Sequence, residues 1–86
     1  MPYIVTFKTS ALKQTEKLPK ALAQRVMAKA TALANDPRPP GSIKLTGQGN
    51  TWRIRIGDYR IVYVIDDTRR NVDIRIVANR REVYRG

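Results

Sequence analysis

Apolar and polar positions change rhythm twice along this chain. Residues 3–7 are a run of aromatic and β-branched side chains, Tyr3, Ile4, Val5, Thr6 and Phe7, and read as a strand. Thr9 or Ser10 then suits a helix cap, and Ala11, Leu12, Thr15 and Leu18 recur at helical spacing. Pro19 disfavours helix at Leu18 and suits the start of another, so the pattern breaks there. A second helix is predicted over residues 20–35, with Leu22, Val26, Ala30 and Leu33 as its apolar stripe. Asn35-Asp-Pro37 ends it, and Arg38-Pro-Pro-Gly41 blocks its continuation. Residues up to Thr51 are expected to be loop.

From Trp52 the period falls to two. Strands are predicted over residues 52–56, 59–66 and 72–78. Gly57-Asp58 is a two-residue turn signal between the first two. That turn sets Ile56 opposite Tyr59, Arg55 opposite Arg60 and Ile54 opposite Ile61. Alternation sends Ile54, Ile56 and Ile61 to the core, with Trp52, Tyr59 and Tyr63 on the same side. Arg53, Arg55 and Arg60 go to the other face. Pairing Ile65 with Val72 in the next hairpin sets Val62 opposite Arg75 and adds Arg75 to that face. The expected fold is α+β: an N-terminal strand, a helical hairpin, then a three-stranded antiparallel meander, in one sheet with the helices on one face. Residues 1–86 are expected to form a single domain.

Charge gives this arrangement a meaning. Lys and Arg total 17 against 7 acids, a formal net charge of +10. Nine of the eleven arginines lie at or after Arg53, and Lys44 is the last lysine. Charge of this size speaks to partners, with nucleic acid, an acidic protein and an anionic membrane as candidates. Arginine's planar fork suits phosphate. Like charges opposed across a hairpin repel, and a polyanion relieves that cost. The plainer reading is a solvated outer sheet face, with Asp73 neutralising part of it. Lys44, Arg80, Arg81 and Arg85 are either further phosphate contacts or solvated cations. Tyr84, between Arg81 and Arg85, either packs on the sheet edge or stacks on an unstacked base.

Other chemistry is narrowed by composition. The chain has no cysteine and no histidine, which removes disulfides, thiolates and the histidine-based triads. Its acids are scattered apart from Asp66-Asp67, so no metal site and no cofactor are expected. The longest apolar run, residues 61–65, is far short of a membrane span, and no secretory leader is visible. A cytoplasmic protein with no membrane partner is expected. RNA cleavage without metal requires the 2′-hydroxyl deprotonated, the pentacoordinate phosphate stabilised and the 5′-oxygen protonated. Arginine serves the second demand well and the first poorly, since it holds its proton to above ~12.

The sequence resembles the RelE branch of the RelE/ParE toxin superfamily. The resemblance rests on Ala11-Leu-Lys13, Lys17-Leu18, Asn35-Asp-Pro37, Lys44-Leu45 and Gly47. It rests most on Trp52-Arg-Ile-Arg-Ile-Gly-Asp-Tyr-Arg-Ile-Val-Tyr63 and Val77-Ala-Asn-Arg-Arg-Glu-Val-Tyr84. It spans residues 3–85 and implies a RelE-like fold and the toxin of a type II toxin–antitoxin pair. RelE-type members enter the ribosomal A site and cleave mRNA there, without metal, through 2′-hydroxyl attack. By the resemblance, Arg53 and Arg55 stand where the family carries two basic, often lysine, residues. Arg60 stands for the arginine that stabilises the transition state, Arg80 for the proposed general acid and Tyr84 for the tyrosine that orients substrate. Lys44, Arg75, Arg81 and Arg85 are then RNA contacts. The implied partners are a cognate antitoxin protein, the ribosome with mRNA in its A site, and operator DNA only indirectly through the antitoxin. Two other readings remain: a ParE-like inhibitor of DNA gyrase without chemistry of its own, and a plain basic nucleic-acid-binding domain.

Overall fold

The structure, a computed structural model, describes residues 2–79. The order is β1 (Ile4–Phe7), α1 (Thr9–Glu16), α2 (Lys20–Ala32), β2 (Ile43–Lys44), β3 (Thr51–Ile56), β4 (Tyr59–Asp66) and β5 (Asn71–Asn79). The strands form one sheet in the order β1-β5-β4-β3-β2. β1 runs parallel to β5, with Val5 opposite Val72 and Phe7 opposite Ile74, and every other pairing is antiparallel. The α+β class is as expected, with five strands rather than four. The added one, β2, lies in the stretch read as loop; two residues have no period to detect, and only pairing with Trp52 and Arg53 makes them a strand.

The helices cover one sheet face. Ala11 of α1 and Val26, Ala30 and Leu33 of the second helical segment are buried against Ile54, Ile56, Ile61, Tyr63, Ile65, Val72, Ile74 and Val77. Each is a position that the alternation or the helical stripe turned inward. Leu12 is the exception on the stripe and is exposed. Thr9 is already helical, and Lys8 is the N-cap, without a side-chain cap. The reason is tertiary: Lys8 N–H donates to Ile74 O at 2.8 Å while Lys8 O accepts from Leu12 N–H at 3.0 Å. The sheet thus sets the start of the helix. α2 ends three residues before the predicted limit because its last turn tightens, with Leu33, Ala34 and Asn35 bonding three residues back at 3.1–3.2 Å.

The sheet end farthest from the β3–β4 turn is tied by a polar cluster. Asp67 accepts from Tyr3 OH at 2.6 Å and from Arg38 Nη2 at 2.9 Å. Arg38 also lies over the Trp52 ring, 5.3 Å from its centroid, and Trp52 Nε1 donates to Asn50 Oδ1 at 2.8 Å. Tyr63 OH donates to Pro37 O at 2.7 Å. Together these bonds fasten the segment after α2 to the strands. Trp52 is half-buried and packs on the core, in keeping with its inward parity.

Candidate functional site

The β3–β4 hairpin closes through Gly57 and Asp58. Gly57 has φ +56° and Asp58 does not share a positive φ, the signature of a type II′ turn with glycine first. This fixes the expected register: Ile56 pairs with Tyr59, Arg55 with Arg60, Ile54 with Ile61 and Arg53 with Val62. Arg53, Arg55 and Arg60 therefore share the sheet face away from the helices. Their environments differ. Arg55 is exposed, Arg53 is half-buried and Arg60 is buried, at 5% exposure.

The burial of Arg60 departs from the solvated face expected for it. β4 is the central strand, so Arg60 is flanked by Arg55 on β3 and by Ala78 on β5, and Val62 and Ala78 beside it are buried too. Its Nη1 donates to Tyr59 O at 3.5 Å. A buried guanidinium costs free energy unless its donors are used, so its placement is set by structure and not by solvent. Local dielectric is lower there, which strengthens its pull on an incoming anion.

Arg75 does not stand opposite Val62. Ile65 pairs with Val72 and Tyr63 with Ile74 as expected, but Val62 pairs with Ile76, leaving Arg75 as the extra residue of a β-bulge. Arg75 Nε meets Asp73 Oδ2 at 2.8 Å, so its charge is locally compensated. Lys44 pairs with Trp52, whose parity is that of Ile54, so the register puts Lys44 on the helix side of the sheet and not among the arginines. Arg80, Arg81, Tyr84 and Arg85 lie outside the described residues. The last described residue, Asn79, pairs with Tyr59, next to Arg60.

The three arginines border a cleft of about 400 Å³ that sequence reasoning did not foresee. Lys29 and Leu33 form its other side, with the loop through Pro39, Pro40 and Gly41. No periodicity links these segments; the only hint was the proline-rich stop after α2. Among the described residues, no three histidine, cysteine, aspartate or glutamate side chains gather as a metal site, and no helix is long and apolar enough to cross a membrane.

Two titrating groups near the far end are strongly shifted. Hydrogen bonds from Arg38, then from Tyr3, hold the Asp67 carboxyl down at about 2. Burial pushes the Tyr63 hydroxyl up to about 12. Both belong to the polar tie and its buried neighbour rather than to the arginine face. The face itself offers convergent phosphate donors and no strong base.

The family described as the ParE toxin of type II toxin–antitoxin systems, parDE, matches residues 5–84. The chain is 35% identical over 86 residues to the toxin RelG of Mycobacterium tuberculosis, covering 99% of both chains. It is 32% identical over 85 residues to the toxin RelE of the same organism, covering 98% of this chain and 88% of that one. The fold matches an archaeal RelE–RelB complex from Pyrococcus horikoshii with a TM-score of 0.83 and 30% identity, over 93% of this chain and 97% of that one. The hairpin that gathers the three arginines thus sits in a fold and sequence shared along nearly the whole chain, which belongs to the RelE/ParE superfamily of type II toxin–antitoxin toxins as a RelE-type member.

Proposed function

We propose that this toxin is a ribosome-dependent endonuclease that cuts translated mRNA in the A site, and that a cognate antitoxin holds it in check. The observation that carries the reading is the opposed pair Arg55–Arg60 with Arg53 beside it, three guanidinium groups on one face, one of them buried. In this mechanism the 2′-oxygen attacks the adjacent phosphorus and its proton leaves. The P–O5′ bond breaks, and the 5′-oxygen takes a proton. The products are a 2′,3′-cyclic phosphate and a 5′-hydroxyl. Arg53 and Arg55 hold the backbone phosphate, and Arg60 stabilises the extra charge of the pentacoordinate state. Arg80 supplies the proton to the leaving oxygen, and Tyr84 stacks on and orients a base. Arg75, Arg81 and Arg85 add phosphate contacts, and Lys44 does so from the other side of the sheet. No metal takes part.

The arginines hold their protons, so the set lacks a strong base of its own. This supports dependence on the ribosome, which supplies orientation worth up to ~7–11 kcal/mol. The antitoxin partner is supported by the similar RelE solved in complex with RelB. Operator DNA is reached only through that antitoxin, and the working compartment is the cytoplasm. The family description favours a second reading, inhibition of DNA gyrase in the manner of ParE. Primer extension on mRNA from cells briefly expressing the toxin separates the two. Discrete cuts inside translated codons are the expected result. Intact messages with DNA-damage signalling would establish the gyrase reading in its place.

A further inference from the structure

β3 is only partly covered on its outer edge. β2 pairs with Trp52 and Arg53 and stops. Gly41, at φ +90°, and the turn in which Ser42 N–H donates to Pro39 O at 2.9 Å lead the chain away from the edge. Leu45 N–H donates to Thr51 O at 2.8 Å, so Thr51 turns its carbonyl to the β2 side. Antiparallel ladders alternate, so Arg55 turns its own N–H and C=O to that side, where the described residues provide no strand. The cleft of about 400 Å³ runs along this stretch. Buried Ile54 and Leu33 belong to its wall, together with exposed Ile43 and Ala32. Its cations are Lys29, Arg53, Arg55 and Arg60, against one acid, Asp36.

Cations on an edge strand are also a common defence against unwanted pairing. Such a defence does not require an apolar cleft beside it. We infer that the cleft takes an extended, acidic segment of the antitoxin, which adds a short strand to β3 at Arg55. One apolar side chain of the segment fills the cleft against Ile54 and Leu33, and its carboxylates meet the arginines. Strand addition of this kind draws affinity from backbone bonds and specificity from the pocket beside them. RNA would use the cations but not the strand edge. A second copy of the chain would bring +10 against +10. The inference rests on the reading of the chain as an antitoxin-held toxin, and it makes neutralisation a direct masking of Arg55 and Arg60.

The test uses the purified toxin, its cognate antitoxin and overlapping synthetic peptides spanning that antitoxin. Ala32→Trp fills the cleft from an exposed helix position, and Ile43→Glu puts a carboxylate at its mouth from an exposed strand position. Both variants should melt with the unaltered toxin. Each should weaken one acidic–apolar peptide, and the whole antitoxin, by at least about tenfold, the effect of losing one buried apolar contact. Hydrogen exchange should show the Arg55 amide protected only when that peptide is bound. Unchanged affinity in both variants, or protection of β1 instead of β3, would overturn the inference. So would loss of mRNA cutting in Ala32→Trp with antitoxin binding intact, because the cleft would then belong to RNA. Weakened antitoxin binding together with intact messages in cells would leave the cleft assignment standing and overturn the nuclease reading alone.

Discussion

Arg55 and Arg60 face each other directly across the β3–β4 hairpin, yet one is exposed and the other is buried. The two therefore respond differently to truncation. Arg55→Ala removes an exposed cation from a repulsive pair, so its melting temperature should stay level or rise slightly, within ~0.5 kcal/mol. Arg60→Ala removes a buried stem and the bond to Tyr59 O, and should cost on the order of 1–2 kcal/mol. Both should lose mRNA cleavage, Arg60→Ala by on the order of 10²–10³ in rate, as expected for a charged donor to a developing anion. Melting curves beside ribosome-dependent cleavage assays check this. A folded Arg60→Ala that cuts at full rate would remove Arg60 from the chemistry.

Asp67 makes the fold sensitive to acid. Its carboxyl is held at about 2 by Arg38 and Tyr3, below its usual 3.8. A depressed carboxyl pKa contributes stability that is present above the unfolded value and lost as pH falls through the folded one. The contribution should be complete above about pH 4 and fade toward pH 2. Asp67→Asn should melt lower than the unaltered toxin at neutral pH, and the gap should close over that window. A gap that persists unchanged at pH 2 would show that the carboxylate charge is not what ties Tyr3 and Arg38 together.

Tyr63 acts at the alkaline end. Burial raises its hydroxyl from 10.0 to about 12, and the proton is donated to Pro37 O. Because the folded pKa is raised, its contribution holds below pH 10 and is lost as pH rises toward 12. An ultraviolet titration of the folded toxin should show one tyrosine that ionises last, and that step should vanish in Tyr63→Phe. The same substitution should cost about 1 kcal/mol at neutral pH, the worth of one intramolecular hydrogen bond. Loss of some other step would place the shielded hydroxyl elsewhere.

The parts of this molecule that were legible in sequence are those fixed by local rules. Alternation around Gly57-Asp58 sets the register of Arg55 with Arg60 and the inward side of Ile54, Ile56 and Tyr63. Helical spacing finds Val26, Ala30 and Leu33. What escaped depends on distant partners. β1 joins β5 across most of the chain length, and this makes β4 central and buries Arg60. The bulge at Arg75 inserts one residue without any turn signal, since Ile65 and Val72 already pair in the expected register. The cleft assembles from α2, a proline-rich loop and a strand edge, none of which carries a periodic mark of the others.

Gly57 links that local code to activity. Its φ of +56° is one that side chains with a Cβ rarely adopt, and a Cβ built there meets nothing within 4 Å. The cost of Gly57→Ala is therefore backbone strain without a clash, on the order of 1–2 kcal/mol. The strain is relieved by changing the turn, and a changed turn shifts the pairing next to it. Arg55 and Arg60 lie only one pair beyond Ile56 and Tyr59, so their alignment should suffer before the core does. Gly57→Ala should stay folded, with Ile61, Tyr63 and Ile65 still in place, but should cleave mRNA far more slowly than its modest loss of stability explains. Amide exchange across β3 and β4, measured with the cleavage rate, tests the link. Full activity alongside a loosened turn would mean that the arginine alignment is held by the rest of the sheet and not by the hairpin.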